Sequence, residues 1–373
     1  MNMPRKELYH HYQLEIETLS PVSIGCKSQL TSRGEYFLTG NKTHFIDQDG
    51  ISEILYQNLT EEDKKEYLAT VLNQGVDFNF TDFFKNKGIS LEQIPISRSL
   101  SFIGDATLVN KNRLLKLHIK SGADENQNNS AYFPGSSLKG MIRTAMVYVH
   151  LKSHPELVSK FADKINNWSQ IDKYELSKEW KVLEDSIIGK EANQLRIADT
   201  QNISDTDMAV YQVRREPLYF TESDSELDWL EECVDKGHKI FGALTYVQKN
   251  TKELACINFV PNILLGLNEW MTDMLDFEIL EIEKSNMPKK EIVLAQLKSL
   301  IESSLQNNEY AAIARLGSGK TFMFNTILLL LEKGLRERIL MTVLKTDSIK
   351  TRILCSHEKA PLKGWIKLNL RKL

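Results

Sequence analysis

Tyr132–Arg143, with the sequence YFPGSSLKGMIR, is the stretch that decides the fold. Its Pro-Gly pair favours a turn, and Ser136 or Ser137 is a natural N-cap for a helix. The apolar pattern of Leu138–Lys152 predicts that this helix follows directly. The order of a turn, a Gly/Ser/Lys loop and a helix is a device that the chain uses twice.

The residues of this first loop suit an anion. Glycine allows the backbone to come close, serine offers a hydroxyl group, and Lys139 and Arg143 lie one turn apart on one helix face. The residues concerned are Gly135, Ser136, Ser137, Lys139, Gly140 and Arg143. They predict an anion-binding helix start, while a capped amphipathic helix without a ligand explains the composition equally well.

The second use of the device lies near the end of the sequence. A predicted strand, Ala311–Leu316, leads into Gly317-Ser318-Gly319-Lys320, and an apolar helix is predicted over Thr321–Leu331. The two glycines let amide groups approach a phosphate, and Arg315 adds a second charge beside the loop. A tight turn with solvated charges is the alternative interpretation.

A nucleotide-binding P-loop is one function that this second loop suggests. Such a loop requires the pattern GxxxxGK[ST], in which backbone amides and the lysine surround the phosphates. Ala314 stands where the first glycine belongs, so the pattern is broken. Anion binding by the glycines and Lys320 survives as the more general prediction.

Hydrophobic periodicity predicts an α+β architecture, in which strands and helices are mixed along the chain. The predicted strands are Tyr9–Leu19, Thr43–Asp47, Asn110–Ile119, Leu195–Thr200, Lys239–Tyr246, Ala255–Val260 and Gly364–Leu370. The predicted helices, besides those already named, are Asp49–Leu72 with a capped first turn at Thr60, Glu156–Ile188 and Trp270–Leu305.

Composition excludes several classes of protein. The chain has 373 residues, of which 42% are hydrophobic and 26% charged, and these fractions fit neither a disordered nor a membrane protein. The length predicts two to three domains. The four cysteines are far apart and show no zinc-ligand spacing, which is typical of reduced thiols in a cytoplasmic protein. We therefore predict neither a metal nor a cofactor.

The charge is unevenly distributed. A net charge of −3 taken alone argues against a nucleic-acid-binding protein. However, 311–373 holds thirteen basic and four acidic residues, and 110–143 holds six basic and two acidic ones, so positive charge is concentrated around both loops. Glu216–Asp235 has eight acidic residues and no basic one, and it is predicted to be a solvated helix face that repels RNA or contacts a basic subunit.

Candidates for catalysis are few. Asp105 and Asp124 are candidates because of their location in predicted loops, but neither has an evident partner base or metal cluster. Asp199 follows a strand and is predicted to cap the next turn, and His118 alternates with leucines, as a packed strand residue does. Independent nuclease activity is therefore not predicted.

The motifs together resemble the RAMP superfamily of CRISPR proteins, and within it the fifth subunits of type III-A Csm effector complexes. Phe133–Met146, FPGSSLKGMIRTAM, is similar to the superfamily's glycine-serine-lysine signature. Four further segments match family landmarks in the same order, namely Thr18–Gly25, Leu195–Thr200, Arg315–Lys320 and Pro361–Lys367. The landmarks cover nearly the whole chain, and the Lys320-Thr321 ending of the late loop departs from the family pattern.

The resemblance implies two ferredoxin-like (RRM-type) RAMP domains, of which the second is degenerate. We expect an N-terminal RAMP domain at 1–155, a helical insertion at 156–194 and a C-terminal RAMP domain at 195–373. The implied RNA-binding residues are Gly135, Ser136, Ser137, Lys139, Gly140, Arg143, Arg315, Gly317, Ser318, Gly319 and Lys320.

The function that the resemblance implies is crRNA binding without catalysis, at the end of a backbone filament near the crRNA 3′ portion. The implied partners are crRNA and the adjacent backbone RAMP subunit, with the small helical subunit and host ribonucleases as further candidates and no membrane. Two alternatives stay open at this point. One is an enzyme, either a P-loop-like NTPase or a RAMP-family ribonuclease, and the other is a subunit of the related type III-B complex.

Overall fold

A computed structural model gives the structure of the protein. It describes residues 8–73, 78–105, 113–122, 130–219, 227–248, 260–305, 310–320, 327–345, 351–356 and 361–373. Within these ranges the strands are β1 (Leu8–Thr18), β2 (Gly25–Thr31), β3 (Tyr36–Thr39), β4 (Lys42–Ile46), β5 (Ile96–Ile103), β6 (Leu114–His118), β7 (Leu195–Ile197), β8 (Met208–Pro217), β9 (Leu227–Val234), β10 (Lys239–Gln248), β11 (Ala311–Arg315), β12 (Thr351–Cys355) and β13 (Trp365–Lys372).

The α-helices of the described ranges run between and around these strands. They are α1 (Gln48–Asn58), α2 (Glu61–Leu72), α3 (Phe80–Asn86), α4 (Gly135–Ser153), α5 (Pro155–Asn166), α6 (Lys173–Ile187), α7 (Val260–Glu283), α8 (Lys290–Leu305) and α9 (Lys333–Leu344). None of them combines the length and the apolar character that crossing a membrane requires.

The first sheet has the strand order β11-β13-β1-β10-β7, and every neighbouring pair is antiparallel. Helix α4 lies between β1 and β7 in the sequence, and α7 and α8 lie between β10 and β13. Strands β1, β7, β10 and β13 with these helices therefore form the split βαβ arrangement of a ferredoxin-like domain, with β11 added at one edge. The predicted α+β class and ferredoxin-like sheet are confirmed.

Strand β1 shows why the sheet forms as predicted. Tyr12, Leu14 and Ile16 are buried, while Gln13 and Glu15 on the opposite face are partly exposed. This alternation with period two is the signature of a strand with one face on the core. The same holds for β13, so both sequence predictions are correct to within two residues at each end.

The second sheet has eight strands in the order β2-β6-β9-β8-β5-β4-β3, and β12 pairs with β8. It is mixed, because β5 pairs parallel to β8 and β6 parallel to β9. Both sheets combine strands from before 155 and after 195. The domain boundaries drawn at these positions stay a prediction.

Helix α4 packs in the main core, against α7. Its buried side chains include Leu138, Met141 and Ala145, which recur at helical spacing. Outside this core, helices α1 to α3 enclose a small core of their own, rich in phenylalanine. Helix α2 begins at the predicted cap, where Thr60 and Asp63 form a capping box.

One predicted helix needs correction, and one predicted strand lies almost wholly outside the described residues. Of the helix predicted over Thr321–Leu331, 321–326 are not described, and the remainder contains a single 3-10 turn at Leu328–Leu330. The prediction is wrong there because a short apolar run does not reveal its period, and Leu331 is buried outside any helix. The strand predicted at Ala255–Val260 lies outside the described residues, except that α7 begins at Val260.

Candidate nucleic-acid interface

The early loop, Phe133–Gly140, is held by a strand end rather than by its own serines. Asp199, just after β7, accepts a hydrogen bond from the Gly135 N–H at 2.7 Å, and Thr200 Oγ1 accepts one from the Phe133 N–H at 2.9 Å. A Cβ atom at Gly135 would lie 2.2 Å from the Ile197 carbonyl oxygen, so only glycine fits this approach.

The sequence suggested that a serine of the early loop caps the helix, and the structure shows that neither serine does. Helix α4 begins at Gly135, three residues earlier than Leu138, its N-cap is Pro134, and Ser136 and Ser137 lie in its first turn. The cap predicted for Asp199 exists, but it serves the distant start of α4 and not the next turn of the chain. This frees the two hydroxyl groups for another use.

The late loop, Leu316–Lys320, follows β11 and turns sharply. Gly317 and Gly319 have φ angles of 77° and 93°, which side-chain-bearing residues rarely adopt. The Ser318 N–H donates to the Ser23 carbonyl oxygen at 2.7 Å. A Cβ atom at Gly317 would lie 2.1 Å from that same oxygen. The family landmark at Thr18–Gly25 thus supports the late loop directly.

A buried ion pair holds the side chain of Ser318. The Lys363 ammonium lies 2.6 Å from Glu231 Oε2, and neither side chain is more than 3% exposed. Ser318 Oγ donates to Glu231 at 2.7 Å and accepts from Lys363. Burial alone would raise the pKa of Glu231, but Lys363, together with hydrogen bonds from Ser318 and Trp229, outweighs it and lowers that pKa. Both groups are therefore charged at neutral pH.

A second buried cluster holds the end of the late loop. Arg315 donates to the Gly319 carbonyl oxygen at 2.9 Å, and its guanidinium group also contacts Glu278 at 3.2 Å. Arg352 of β12 contacts the other oxygen of Glu278 at 2.6 Å. Arg315 is only 2% exposed, so the geometry supports a positioning role for it rather than the phosphate contact that the sequence suggested.

The two loops meet at one cleft of about 480 Å³. Its lining consists of Ser136, Ser137, Gly140, Met141, Thr144, Trp270, Leu316, Gly317, Ser318, Gly319 and Lys320. Burial lowers the pKa of Lys320 to about 8, and the nearby Arg315 acts in the same direction. The cleft therefore offers hydroxyl groups, glycine backbone and one ammonium group, which together suit a phosphate-bearing chain.

Lys139 and Arg143 lie on another side of α4. They line a small hollow together with Met146, Ile188 and other residues, and neither lines the cleft. Arg143 forms ion pairs with Glu184 at 2.9 Å and Asp185 at 3.0 Å. The predicted common face of the two basic residues is confirmed, but the structure separates it from the hydroxyl groups of the same loop.

The acidic stretch Glu216–Asp235 is not a helix face. Its residues 220–226 are outside the described ranges, and 227–234 form β9, with Glu231 and Glu232 both buried. Glu232 contacts Arg98 at 2.7 Å and Lys120 at 3.0 Å. The prediction of a solvated surface is wrong for this strand because basic side chains from distant elements neutralise both carboxylates.

The structure describes one of the two acidic candidates for catalysis. Asp105 follows β5, and its N–H donates to Gln212 at 2.9 Å, whereas Asp124 lies outside the described residues. In the described part of the chain, no group of three or more His, Cys, Asp and Glu side chains could hold a metal ion.

His118 is a packed strand residue, as predicted. It is 1% exposed, its Nδ1 accepts from the Ile24 N–H at 3.2 Å, and its Nε2 lies 3.0 Å from the Tyr132 carbonyl oxygen. Burial lowers its pKa to about 4, so the ring is neutral at pH 7. The neutral ring that carries its proton on Nε2 satisfies both hydrogen bonds.

Several residues that shape the cleft escaped the sequence analysis as individuals. Glu231, Glu278, Lys363 and Ser23 support the late loop from four separate segments. The one signal available was the position of Lys363 in the Pro361–Lys367 landmark and of Ser23 in the Thr18–Gly25 landmark. Both landmarks thus mark supports of the late loop rather than separate sites.

Comparison with known proteins places this geometry in context. A sequence model of the RAMP superfamily matches residues 114–297. CRISPR system Cms protein Csm5 of Methanocaldococcus jannaschii is 28% identical over 202 residues, which are 51% of this chain and 43% of the relative. The chain thus aligns with less than half of the length of that curated relative.

Two solved structures share the fold. A chain in the cryo-EM structure of a Csm-crRNA-target RNA ternary complex of a type III-A CRISPR-Cas system superposes with a TM-score of 0.65 at 21% identity, covering 96% of this chain and 100% of that one. The crystal structure of T. onnurineus Csm5 gives a TM-score of 0.62 at 20% identity, covering 94% and 99%. The architecture is therefore shared over nearly the full length of each chain.

Proposed function

The chain belongs to the RAMP superfamily, and from this premise we propose that it is a non-catalytic, crRNA-binding subunit of a type III-A CRISPR Csm effector complex. In this proposal it caps the backbone filament near the crRNA 3′ end and supports crRNA maturation and complex assembly in antiviral defence. The names of the Csm5 relative and of the Csm-crRNA-target RNA complex support this assignment.

One observation carries the RNA-binding part of the proposal. The early and late loops are far apart in the sequence, yet both line one cleft. The cleft presents serine hydroxyl groups, glycine backbone and Lys320, all of which recognise phosphate and ribose rather than base edges. Contacts of that kind do not depend on sequence, as a protein that holds variable guides requires.

The assignment also implies protein partners. We propose the adjacent backbone RAMP subunit as the direct neighbour in the filament, with the small helical subunit and host ribonucleases as further partners. Glu231 and Glu232 are themselves buried and paired with basic side chains, so these two carboxylates do not form part of an acidic docking surface. A surface for the neighbouring subunit must therefore use other residues than this strand of the acidic stretch.

The NTPase alternative finds less support in the geometry of the late loop. A P-loop connects a strand to a helix N-terminus and surrounds phosphate with free amides. Here the preceding strand, β11, is an edge strand that pairs antiparallel with β13. The Ser318 N–H already donates to Ser23, and its hydroxyl group is bound to Glu231.

Purification of a tagged full-length copy from its native host tests the proposal. We expect small RNAs with a common 5′ tag, together with the other Csm subunits, to co-purify. A chain that purifies without RNA and without these subunits contradicts the assignment. Incubation of the purified protein with ATP, and separately with labelled RNA, then tests the two enzyme alternatives, and we expect neither nucleotide hydrolysis nor RNA cleavage.

A matched pair of variants tests the cleft itself. Lys320→Ala removes the cleft lysine, and we expect weaker binding of single-stranded RNA and a salt slope that is lower by about 0.7. Lys65→Ala, in the exposed face of α2, is the control and should leave affinity and slope unchanged. Equal slopes for the two variants would show that RNA does not contact the cleft lysine.

A further inference from the structure

The face of the first sheet that points away from the main core reaches solvent where β1 begins, although Val247, the strand partner of Tyr9, is buried. On β1, Tyr9 and His11 lie on this outer face, because Tyr12, Leu14 and Ile16 occupy the inner one. Tyr9 is 47% exposed, at the beginning of β1, where the pairing with β13 has not yet started. A single exposed aromatic side chain is ordinary on a protein surface, so its neighbours decide whether Tyr9 meets a partner.

Three side chains gather at one end of this face, and we call them the sheet-edge patch. The rings of Tyr9 and His11 are stacked at 6.4 Å with an interplanar angle of 9°. The Arg196 guanidinium group of β7 lies 6.0 Å from the centre of the Tyr9 ring. The strand register places Thr245 between His11 and Arg196, and His11 Nδ1 is 3.1 Å from the Thr245 hydroxyl group.

The charge around the patch is positive. Lys139 of α4 lies close enough to Arg196 that, after burial and the neighbouring Arg143, Arg196 also lowers the pKa of Lys139. Arg371, opposite Gln13, is the next basic residue on the outer face, whereas Lys239 and Lys367 lie opposite Glu17, about 26 Å along β1 from Tyr9. Glu15 is already engaged with Lys239 at 3.0 Å. A polyanion is the partner that this charge favours.

We propose that the sheet-edge patch is a second RNA-binding surface, where one or two unpaired bases of single-stranded RNA stack on Tyr9 and His11 while Arg196 contacts a neighbouring phosphate. Parallel aromatic planes beside a guanidinium group are the features with which proteins bind single strands without base readout. The inference rests on the proposed function as far as the ligand is concerned, but it adds a surface separate from the cleft.

Helix α4 connects the two surfaces. Ser136, Ser137 and Gly140 line the cleft on one side of its first turns, and Lys139 and Arg143 lie on another side, towards Arg196. An RNA chain that leaves the cleft across the start of α4 reaches Lys139 and then the patch. The two sides of α4 thus have different roles in this proposal: the hydroxyl groups face the cleft, and the cations lie on the path beyond it.

The test compares full-length variants in their affinity for a labelled single-stranded oligouridine of about 16 nucleotides. Tyr9→Ala with His11→Ala should weaken binding between about 5-fold and 150-fold, the effect of losing a stacked base, and should leave the salt slope unchanged. Tyr9→Phe keeps the ring and should bind as the wild type does. The control is Tyr56→Ala, since Tyr56 is 79% exposed on α1 and also lies beside a lysine, Lys64, at 5.0 Å.

Arg196→Ala separates phosphate contact from stacking. It should lower the salt slope by about 0.7, which the aromatic substitutions should not do. Ultraviolet cross-linking should attach RNA to the peptide that contains Tyr9, and loss of RNA affinity without that cross-link would point to a merely structural effect and overturn the patch.

The outcomes distinguish the two proposals. Wild-type affinity in the Tyr9→Ala/His11→Ala variant overturns the patch and leaves the cleft proposal intact, whereas a wild-type chain that binds no RNA contradicts both. If the aromatic variant binds RNA normally but no longer assembles with Csm subunits, the patch is a protein interface and the inference is wrong.

Discussion

The early loop and the late loop line the same cleft, yet different forces hold them in place. In the early loop, Asp199 accepts one hydrogen bond from Gly135 at the surface, and neutral groups of Thr200 and Phe133 complete the contact. In the late loop, two buried ion clusters hold Ser318 by its hydroxyl group and Gly319 by its carbonyl group. The difference lies in how much buried charge each loop depends on.

This difference decides which loop is more sensitive to substitution. A solvated cap contributes about 1 kcal/mol to stability, because water replaces it when it is lost. A buried ion pair contributes little net stability, but the loss of one partner leaves the other charge unpaired in a low dielectric. Removing a support of the late loop is therefore costly, while the early loop depends on two hydrogen bonds between the residues after β7 and the start of α4.

The largest effect is expected at the buried pair of the late loop. Lys363→Met leaves the Glu231 carboxylate buried without its cation, and we expect the free energy of unfolding to fall by about 3–5 kcal/mol in a denaturant titration. Lys65→Met, on the exposed face of α2, is the matched control and should change it little. Adding Glu231→Gln to Lys363→Met should restore part of the loss, since no unpaired charge remains.

A loss below about 1 kcal/mol for Lys363→Met would contradict the contrast between the loops, because that is the effect of an exposed pair. The result would mean that water reaches the Glu231 carboxylate in solution. The late loop would then be held much as the early loop is, and its sensitivity would have to come from its glycines alone.

The early loop shows how much the sequence alone can predict. Its turn, its glycines and its helix are consecutive, so local propensity and period identified them together, and β1 and β13 were found by alternation in the same way. Only the cap was misplaced. Ser136 and Ser137 are good N-cap residues, but Asp199 reaches the helix start from another strand, and local propensity cannot show a tertiary contact.

The late loop shows where prediction from the sequence ends. Lys363 and Glu231 are ordinary charged residues in the sequence, and most such residues are solvated. Glu231 lies on β9 of the second sheet and Lys363 lies two residues before β13 of the first sheet, so their burial depends on a contact between residues of different sheets. The dense acidic run around Glu231 favoured a solvated surface, and only the opposing cations make a buried strand possible there.

One residue belongs to the supports of both loops, and acid should affect both through it. His118 accepts from Ile24, next to the Ser23 that holds the late loop, and contacts Tyr132, next to the early loop. Its pKa in the folded state is about 4, below its usual value near 6.5. Between these values the unfolded chain binds a proton that the folded chain does not, so stability is complete above pH 6.5 and is lost as the pH falls towards 4.

The expected loss amounts to about 3 kcal/mol in the free energy of unfolding between pH 7 and pH 4. Other groups titrate in this range, so the informative quantity is the difference from His118→Gln, whose stability should depend less steeply on pH by about one proton. Parallel curves for the wild type and this variant would show that His118 is already exposed to solvent. His118 would then not be a buried support that the two loops share.

The next largest loss of stability is expected at Gly317 of the late loop, where no other residue fits. Gly317→Ala places a Cβ atom 2.1 Å from the Ser23 oxygen at a φ angle of 77°, and we expect a loss of about 2–3 kcal/mol from strain and overpacking. Gly140→Ala in the early loop is the control. Nothing lies within 4 Å of its added Cβ atom, so the variant should gain up to about 1 kcal/mol from helix propensity. Equal losses at both glycines would mean that the loops have similar space around them.

The smallest effect is expected at the cap of the early loop. Asp199→Ala removes the acceptor of the Gly135 N–H, and we expect a loss of about 1 kcal/mol in the free energy of unfolding. Asp172→Ala, which removes the cap of α6 away from the cleft, should cost a similar amount and serves as the reference. The two variants should differ in RNA affinity, because only Asp199 orders the start of α4 beside the cleft. If Asp199→Ala instead costs as much as Lys363→Met, the early loop depends on charge as strongly as the late loop does, and the contrast between a solvated cap and a buried ion pair no longer explains the cleft.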